Sequence, residues 1–84
     1  MLAKIKTSNF IDALHVELIV PDGQMVRGVL RDDAGTVCRT IEKNVLKDRN
    51  DLNMFGLNDL PYGKYTLELL QGENAISLSL VKRV

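Results

Sequence analysis

Apolar and polar residues alternate with period two along most of this chain. In Leu14-His15-Val16-Glu17-Leu18-Ile19-Val20, positions 14, 16, 18 and 20 are apolar, while His15 and Glu17 fall on the other face. Side chains of an extended strand point alternately to its two faces, so this run predicts a half-buried β-strand. Pro21-Asp22-Gly23 then turns the chain into a run from Met25 to Asp32, and Asp32-Asp33-Ala34-Gly35 turns it again into Thr36 to Glu42. Near the C-terminus Tyr65, Leu67 and Leu69 alternate with Lys64, Thr66 and Glu68. After Gln71-Gly72-Glu73-Asn74, Ile76, Leu78 and Leu80 alternate with Ser77 and Ser79, which predicts a closing hairpin.

The segment from Lys43 to Asn53 breaks the pattern. Ile41 and Val45 stand at helical spacing, but Lys43-Asn44 and Asp48-Arg49-Asn50-Asp51 read as a solvated loop, the long crossover between sheets. Beyond it Leu52 and Met54 lie in one phase and Phe55 and Leu57 in the other, a conflict that a bulge or an edge strand would reconcile.

The stretch from Leu57 to Leu69 then indicates how the strands are arranged. A short strand is expected to end at Leu57, Pro61 and Gly63 turn the chain, and the next strand opens on Tyr65. A tyrosine there can bury its ring while its hydroxyl bonds back to the corner, as at the start of strand F in immunoglobulin-like domains. The sequence therefore predicts an all-β, immunoglobulin-like antiparallel β-sandwich of about seven short strands, a single domain over residues 1–84.

Composition narrows the function. A chain of 84 residues buries only about 60–65% of the surface its unfolded form exposes, leaving little core in which to build a deep catalytic cleft. Eleven basic and eleven acidic side chains cancel and are interspersed, so no basic stripe is available for a nucleic acid or an anionic membrane surface. Apolar runs no longer than Leu18-Ile19-Val20 offer no membrane-inserting segment and no signal-peptide core. The single cysteine, Cys38, rules out an internal disulfide and a multi-cysteine zinc site.

Candidate chemistry is sparse. Cys38 and His15 could form a nucleophile and base, but both fall in or beside strands and no oxyanion-forming glycine loop adjoins Cys38, so a small buried hydrophobe is the better reading. His15 belongs to the solvent face of its strand, as an exposed imidazole rather than a metal ligand. Asp48 to Asp51 and the pair Asp32-Asp33 carry oxygen ligands of the kind calcium uses, but neither has the central glycine and closing glutamate of a calcium loop. Asp32 is expected instead to accept hydrogen bonds from amides of its own turn. No cofactor and no metal are expected, and the chain reads as a non-enzyme.

From Asn9 to Val84 the chain resembles the type A C-terminal sorting domain of the type IX secretion system, the tail carried by secreted proteins of Bacteroidetes. The family's opening motif is echoed by Asn9-Phe10-Ile11-Asp12 leading into Ala13-Leu14-His15-Val16-Glu17-Leu18, here without the family's prolines. Its strand, aspartate-x-x-glycine turn and return strand match Val29-Leu30-Arg31-Asp32-Asp33-Ala34-Gly35-Thr36-Val37-Cys38. Its leucine-x-x-glycine-x-tyrosine corner is Leu60-Pro61-Tyr62-Gly63-Lys64-Tyr65, and its closing strand with a basic end runs from Ile76 to Val84 through Lys82-Arg83.

The resemblance implies a non-catalytic sorting signal that directs a passenger across the outer membrane. Its partners would be the outer-membrane translocon, a sortase-like peptidase and the passenger in the same chain. It implies a place in the cell envelope, at the cell surface or outside the cell, reached from the periplasm. Met1 stands where the family has a large passenger, so the chain is expected to be a domain expressed apart from its passenger, with a free-standing small protein as the alternative. The residues expected to meet a partner are Asp32, Gly35, Gly63, Lys82 and Arg83, in a monomer or a weak edge-strand dimer. The alternative is a passive immunoglobulin- or fibronectin-like accessory or adhesion module of a larger extracellular protein. A glycan-binding version would need aromatic platforms, and with no tryptophan only Tyr62 is a candidate ring.

Overall fold

The computed structural model of the chain describes residues 2–5, 8–20, 25–45 and 48–83. They form eight strands: β1 (Leu2–Ile5), β2 (Asn9–Phe10), β3 (Leu14–Val20), β4 (Met25–Asp32), β5 (Val37–Asn44), β6 (Asp48–Met54), β7 (Gly63–Gln71) and β8 (Asn74–Lys82). A three-stranded sheet in the order β1-β3-β6 faces a five-stranded sheet in the order β2-β8-β7-β4-β5. This is an all-β sandwich with an immunoglobulin-like strand order, in which β4, β7 and β8 take the places of strands C, F and G.

The periodicity that marked each strand also builds the core. On β3, Leu14, Val16, Leu18 and Val20 are buried, and on β7 Tyr65, Leu67 and Leu69 face them from the larger sheet. In β4, Gly28 sits directly opposite Ile41 of β5. A Cβ added there would lie 2.9 Å from Ile41 Cγ2, so this strand has room for no side chain where Ile41, Leu52 and Leu69 converge. The β7–β8 hairpin forms in the expected register, with Gln71 opposite Asn74 and Leu67 opposite Leu78.

The strand count exceeds the expected seven because the N-terminal segment is shared between the sheets. β1 pairs antiparallel with β3, whereas β2 crosses to the larger sheet and pairs with β8 in parallel, Asn9 against Val81 and Phe10 against Lys82. The sandwich is thus not wholly antiparallel.

Three expectations about the middle of the chain need correction or limits. Lys43 to Asn53 is no long loop: β5 continues to Asn44, and β6 begins at Asp48. Its polar residues are compatible with a strand because β6 lies at a sheet edge, where Asp51 and Asn53 face solvent while Leu52 and Met54 face the core. The strand also stops at Met54 rather than Leu57. The phase conflict is resolved by irregular backbone, on which Phe55 stays exposed and Leu57 plugs the core, its amide held by the Asp12 carbonyl at 3.0 Å. The expected turn at Pro21-Asp22-Gly23 lies outside the described residues.

Candidate functional site

The residues singled out in the sequence converge on one end of the larger sheet. β4 ends there at Asp32, β7 begins there at Gly63, and β8 ends there at Lys82 directly opposite Gly63. The Asp32 turn and the tyrosine corner flank a shallow cleft of about 370 Å³ lined by Asp33, Cys38, Pro61, Tyr62 and Lys64 among others.

One side of the cleft is made rigid by an aspartate. Asp32 Oδ1 accepts the amides of Ala34 at 3.0 Å and Thr36 at 2.9 Å, while its backbone carbonyl accepts the amide of Gly35 at 3.0 Å. This is the role expected of Asp32, and it occupies one carboxylate oxygen within the protein. Gly35 adopts φ 86°, a conformation in which a side chain is strained, and its carbonyl accepts Arg31 Nη1 at 3.1 Å. Beside the turn, β5 carries an extra residue, Cys38, where the register shifts from Leu30–Arg39 to Arg31–Val37.

The other side is the corner. Tyr65 is buried, packs edge-on against Phe10 with ring centroids 5.8 Å apart, and donates its hydroxyl to the Pro61 carbonyl at 2.6 Å. Burial pushes the Tyr65 phenol above its ordinary value, helped by the neighbouring Cys38, Asp32 and Asp59. Gly63, at φ 138°, lets the chain swing from the corner into β7. Tyr62 is left 64% exposed on the outside of the turn.

Lys82 and Arg83, expected together as a basic tip, separate. Lys82 continues the inward phase of Leu80 and is only 3% exposed, with Nζ 5.1 Å from the centroid of the Tyr62 ring. Its charge is covered, because the strand keeps its alternation to the last residue and Tyr62 folds over the end. Arg83 is exposed. Its backbone amide donates to the Phe10 carbonyl at 2.8 Å and its Nε to Asn9 Oδ1 at 3.2 Å, which ties the last strand to β2.

An ion pair at this end has no local signature in the sequence. Arg39 Nη2 reaches both carboxylate oxygens of Asp59, at 2.6 and 2.8 Å, and joins β5 to the segment before the corner. The two residues lie twenty positions apart in unrelated patterns, so no local signal joined them.

His15 and Cys38 do not meet. His15 lies on β3 of the smaller sheet, its Nδ1 2.8 Å from Asn53 Oδ1 and its ring edge-on to Phe55, whereas Cys38 lies on β5 of the larger sheet. The segment from Asp48 to Asp51 belongs to β6, not to a loop, and no cluster of metal-ligating side chains occurs among the described residues.

The site therefore offers a stiff turn, an exposed phenol, mixed charge and a shallow cleft, the materials of a contact surface. No known protein-family model matches the chain, and no curated protein matches it.

Proposed function

We propose that this domain is a non-catalytic sorting signal of the type IX kind, read by an outer-membrane translocon while it is attached to a passenger. The observation that carries this reading is the gathering of part of each of the four stretches of the resemblance at one end of the larger sheet. Asn9-Phe10, the Asp32–Gly35 turn, the Leu60–Tyr65 corner and the end of β8 are far apart in sequence, yet hydrogen bonds and register place them together. A structural need alone would account for the tyrosine corner. It gives less reason for the open cleft beside the corner, the exposed Tyr62, and the exposed Arg83 placed next to Asn9.

Recognition at this end would use the exposed face of the Asp32 turn, Tyr62 and Arg83, with Gly35 and Gly63 setting the backbone shape. Lys82 acts from within, by supporting Tyr62. The domain would work in the cell envelope or at the cell surface, reached from the periplasm, and a sortase-like peptidase would be a second partner.

The test is export. Residues 1–84 are fused behind a fluorescent protein bearing a periplasmic signal peptide and expressed in a Bacteroidetes host with and without its type IX translocon. Translocon-dependent fluorescence at the surface or in the medium is the expected result. Periplasmic retention of an intact, folded fusion in both strains would favour a passive immunoglobulin-like accessory module instead.

A further inference from the structure

The larger sheet has two long edges of opposite character. One is β5, whose core-facing residues Arg39, Ile41 and Lys43 stand opposite Leu30, Gly28 and Val26. Arg39 is paired with Asp59, and Lys43 Nζ donates across the gap to the Asp51 carbonyl of β6. An antiparallel copy laid along β5 with Ile41 opposite itself would set Arg39 against Lys43. Charge pointing inward at an edge is a recognised guard against strand pairing.

The other edge is β8, whose stretch from Asn74 to Leu80 carries no inward charge; its inward-pointing Lys82 lies where β2 covers the strand. β2 covers it only at Val81 and Lys82, and among the described residues no strand pairs with the outer side of Asn74 to Leu80. Val81 and Arg83 donate their amides to Ser8 and Phe10 at 2.8 Å, away from β7. By the alternation of a strand, the backbone groups of Ala75, Ser77 and Ser79 point the same way, to the side on which no described strand pairs. Asn74-Ala75-Ile76-Ser77-Leu78-Ser79-Leu80 holds no charge and no proline, and Ile76 and Leu78 on its core side are only partly buried.

We propose that this edge pairs with β8 of a second copy, antiparallel, about a two-fold axis through Ser77. In that register Ser77 faces its own counterpart, Ala75 faces Ser79, and Ile76 faces Leu78. The residues that exchange hydrogen bonds are those whose amides already point outward. Small residues meet small residues on the solvent side, apolar residues meet apolar residues on the core side, and no like charges are opposed. In this register Asn74 of each copy comes up against Ser8 of the other, beside Leu80, so the paired stretch is Ala75 to Ser79 and no sliding toward Lys82 is open. This self-complementarity commits the edge to a second copy of the chain, an isologous contact closed by its own symmetry.

Sedimentation of the whole chain over a concentration series tests the proposal. The expected result is a reversible monomer–dimer equilibrium, with the Ser77 and Ser79 amides exchanging more slowly as dimer forms. Ser77→Lys and Ser77→Glu each place like charges face to face and should weaken association about fivefold or more. An equimolar mixture of the two should restore it. Ser77 is exposed, so at concentrations where the parent is monomeric both variants should keep its melting curve. Thr40→Lys, on the exposed face of β5, should leave association unchanged. A chain that stays monomeric to millimolar concentration, Ser77 variants that dimerise like the parent, or a Thr40→Lys effect equal to theirs would overturn the assignment.

Discussion

The hydroxyl of Tyr65 donates to the carbonyl oxygen of Pro61 at 2.6 Å, bridging the corner that leads into β7. The ring is buried against Phe10, so the bond fixes β2, the corner and β7 relative to one another. Tyr65→Phe keeps the ring and removes only the bond. It should lower stability by about 1 kcal/mol in a chemical denaturation series, the usual net worth of such a bond. No measurable loss would mean that the ring alone holds the corner.

The same tyrosine gives the domain an alkaline limit. Its folded pKa is raised above 10.0, chiefly by burial, so the unfolded chain releases this proton first. As pH climbs past the unfolded value the native state then holds more protons, and stability falls until the folded pKa is passed. Below pH 10 the contribution is fully present. The denaturation midpoint should therefore drop above about pH 10, and part of that drop should vanish in Tyr65→Phe, which has no proton to lose. Matching pH profiles for the two proteins would exclude Tyr65 as the source.

Leu67 and Leu78 face each other across β7 and β8, yet only Leu67 is fully buried. Leu67→Ala should cost about 2–5 kcal/mol, a large share of what a domain of this size holds. At concentrations where the chain is monomeric, Leu78→Ala should cost distinctly less, because Leu78 is only partly buried there. Equal losses, or a Leu78 value that depends on protein concentration, would show that its surroundings are drier in solution than in the isolated chain.

The legible parts of the fold were those governed by neighbours in sequence. Alternation in β3, β7 and β8 and the turn chemistry of Asp32 and Gly35 were readable because each depends on residues a few positions away. Tyr65 was readable for the same reason, since its partner Pro61 is close in the chain. β6 was not, because its polar residues become a strand only when β3 supplies the hydrogen bonds, from Leu14–Met54 to Val20–Asp48. The Arg39–Asp59 pair and the covering of Lys82 by Tyr62 were equally hidden, as each depends on segments that only the finished sheet brings together. Among the candidate site residues, Asp32, Gly35 and Gly63 take the turn geometry their types suggested. Lys82 did not stay at the surface, because burial at a strand end follows the phase of the strand and not the charge of the residue.

Asp32 shapes one wall of the cleft by accepting two backbone amides through a single oxygen. Asp32→Asn retains an acceptor at that place and should fold with nearly parental stability. Asp32→Ala leaves those amides to water and should cost about 1 kcal/mol by thermal or chemical melting. The ordering matters more than the size. An asparagine variant as unstable as the alanine one would show that the negative charge, not the acceptor, holds the turn.

Lys82 and Arg83 are adjacent in sequence and opposite in role, which makes them the sharpest probe of the proposed signal. Lys82→Met keeps the buried stem and removes an ammonium whose desolvation offsets its attraction to the Tyr62 ring, so stability should change by no more than about 1 kcal/mol. Lys82→Ala should be worse, because it also empties the space the stem fills. In the export assay Lys82→Met should leave secretion close to normal. Arg83→Glu reverses the exposed charge beside Asn9 and should sharply reduce it while the melting curve stays near that of the parent. Should Lys82→Met abolish export in a folded protein, the translocon must draw the ammonium out from under Tyr62. Should both variants be exported normally, the signal lies elsewhere on this end of the sheet, with the Asp32 turn and Tyr62 next to be tested.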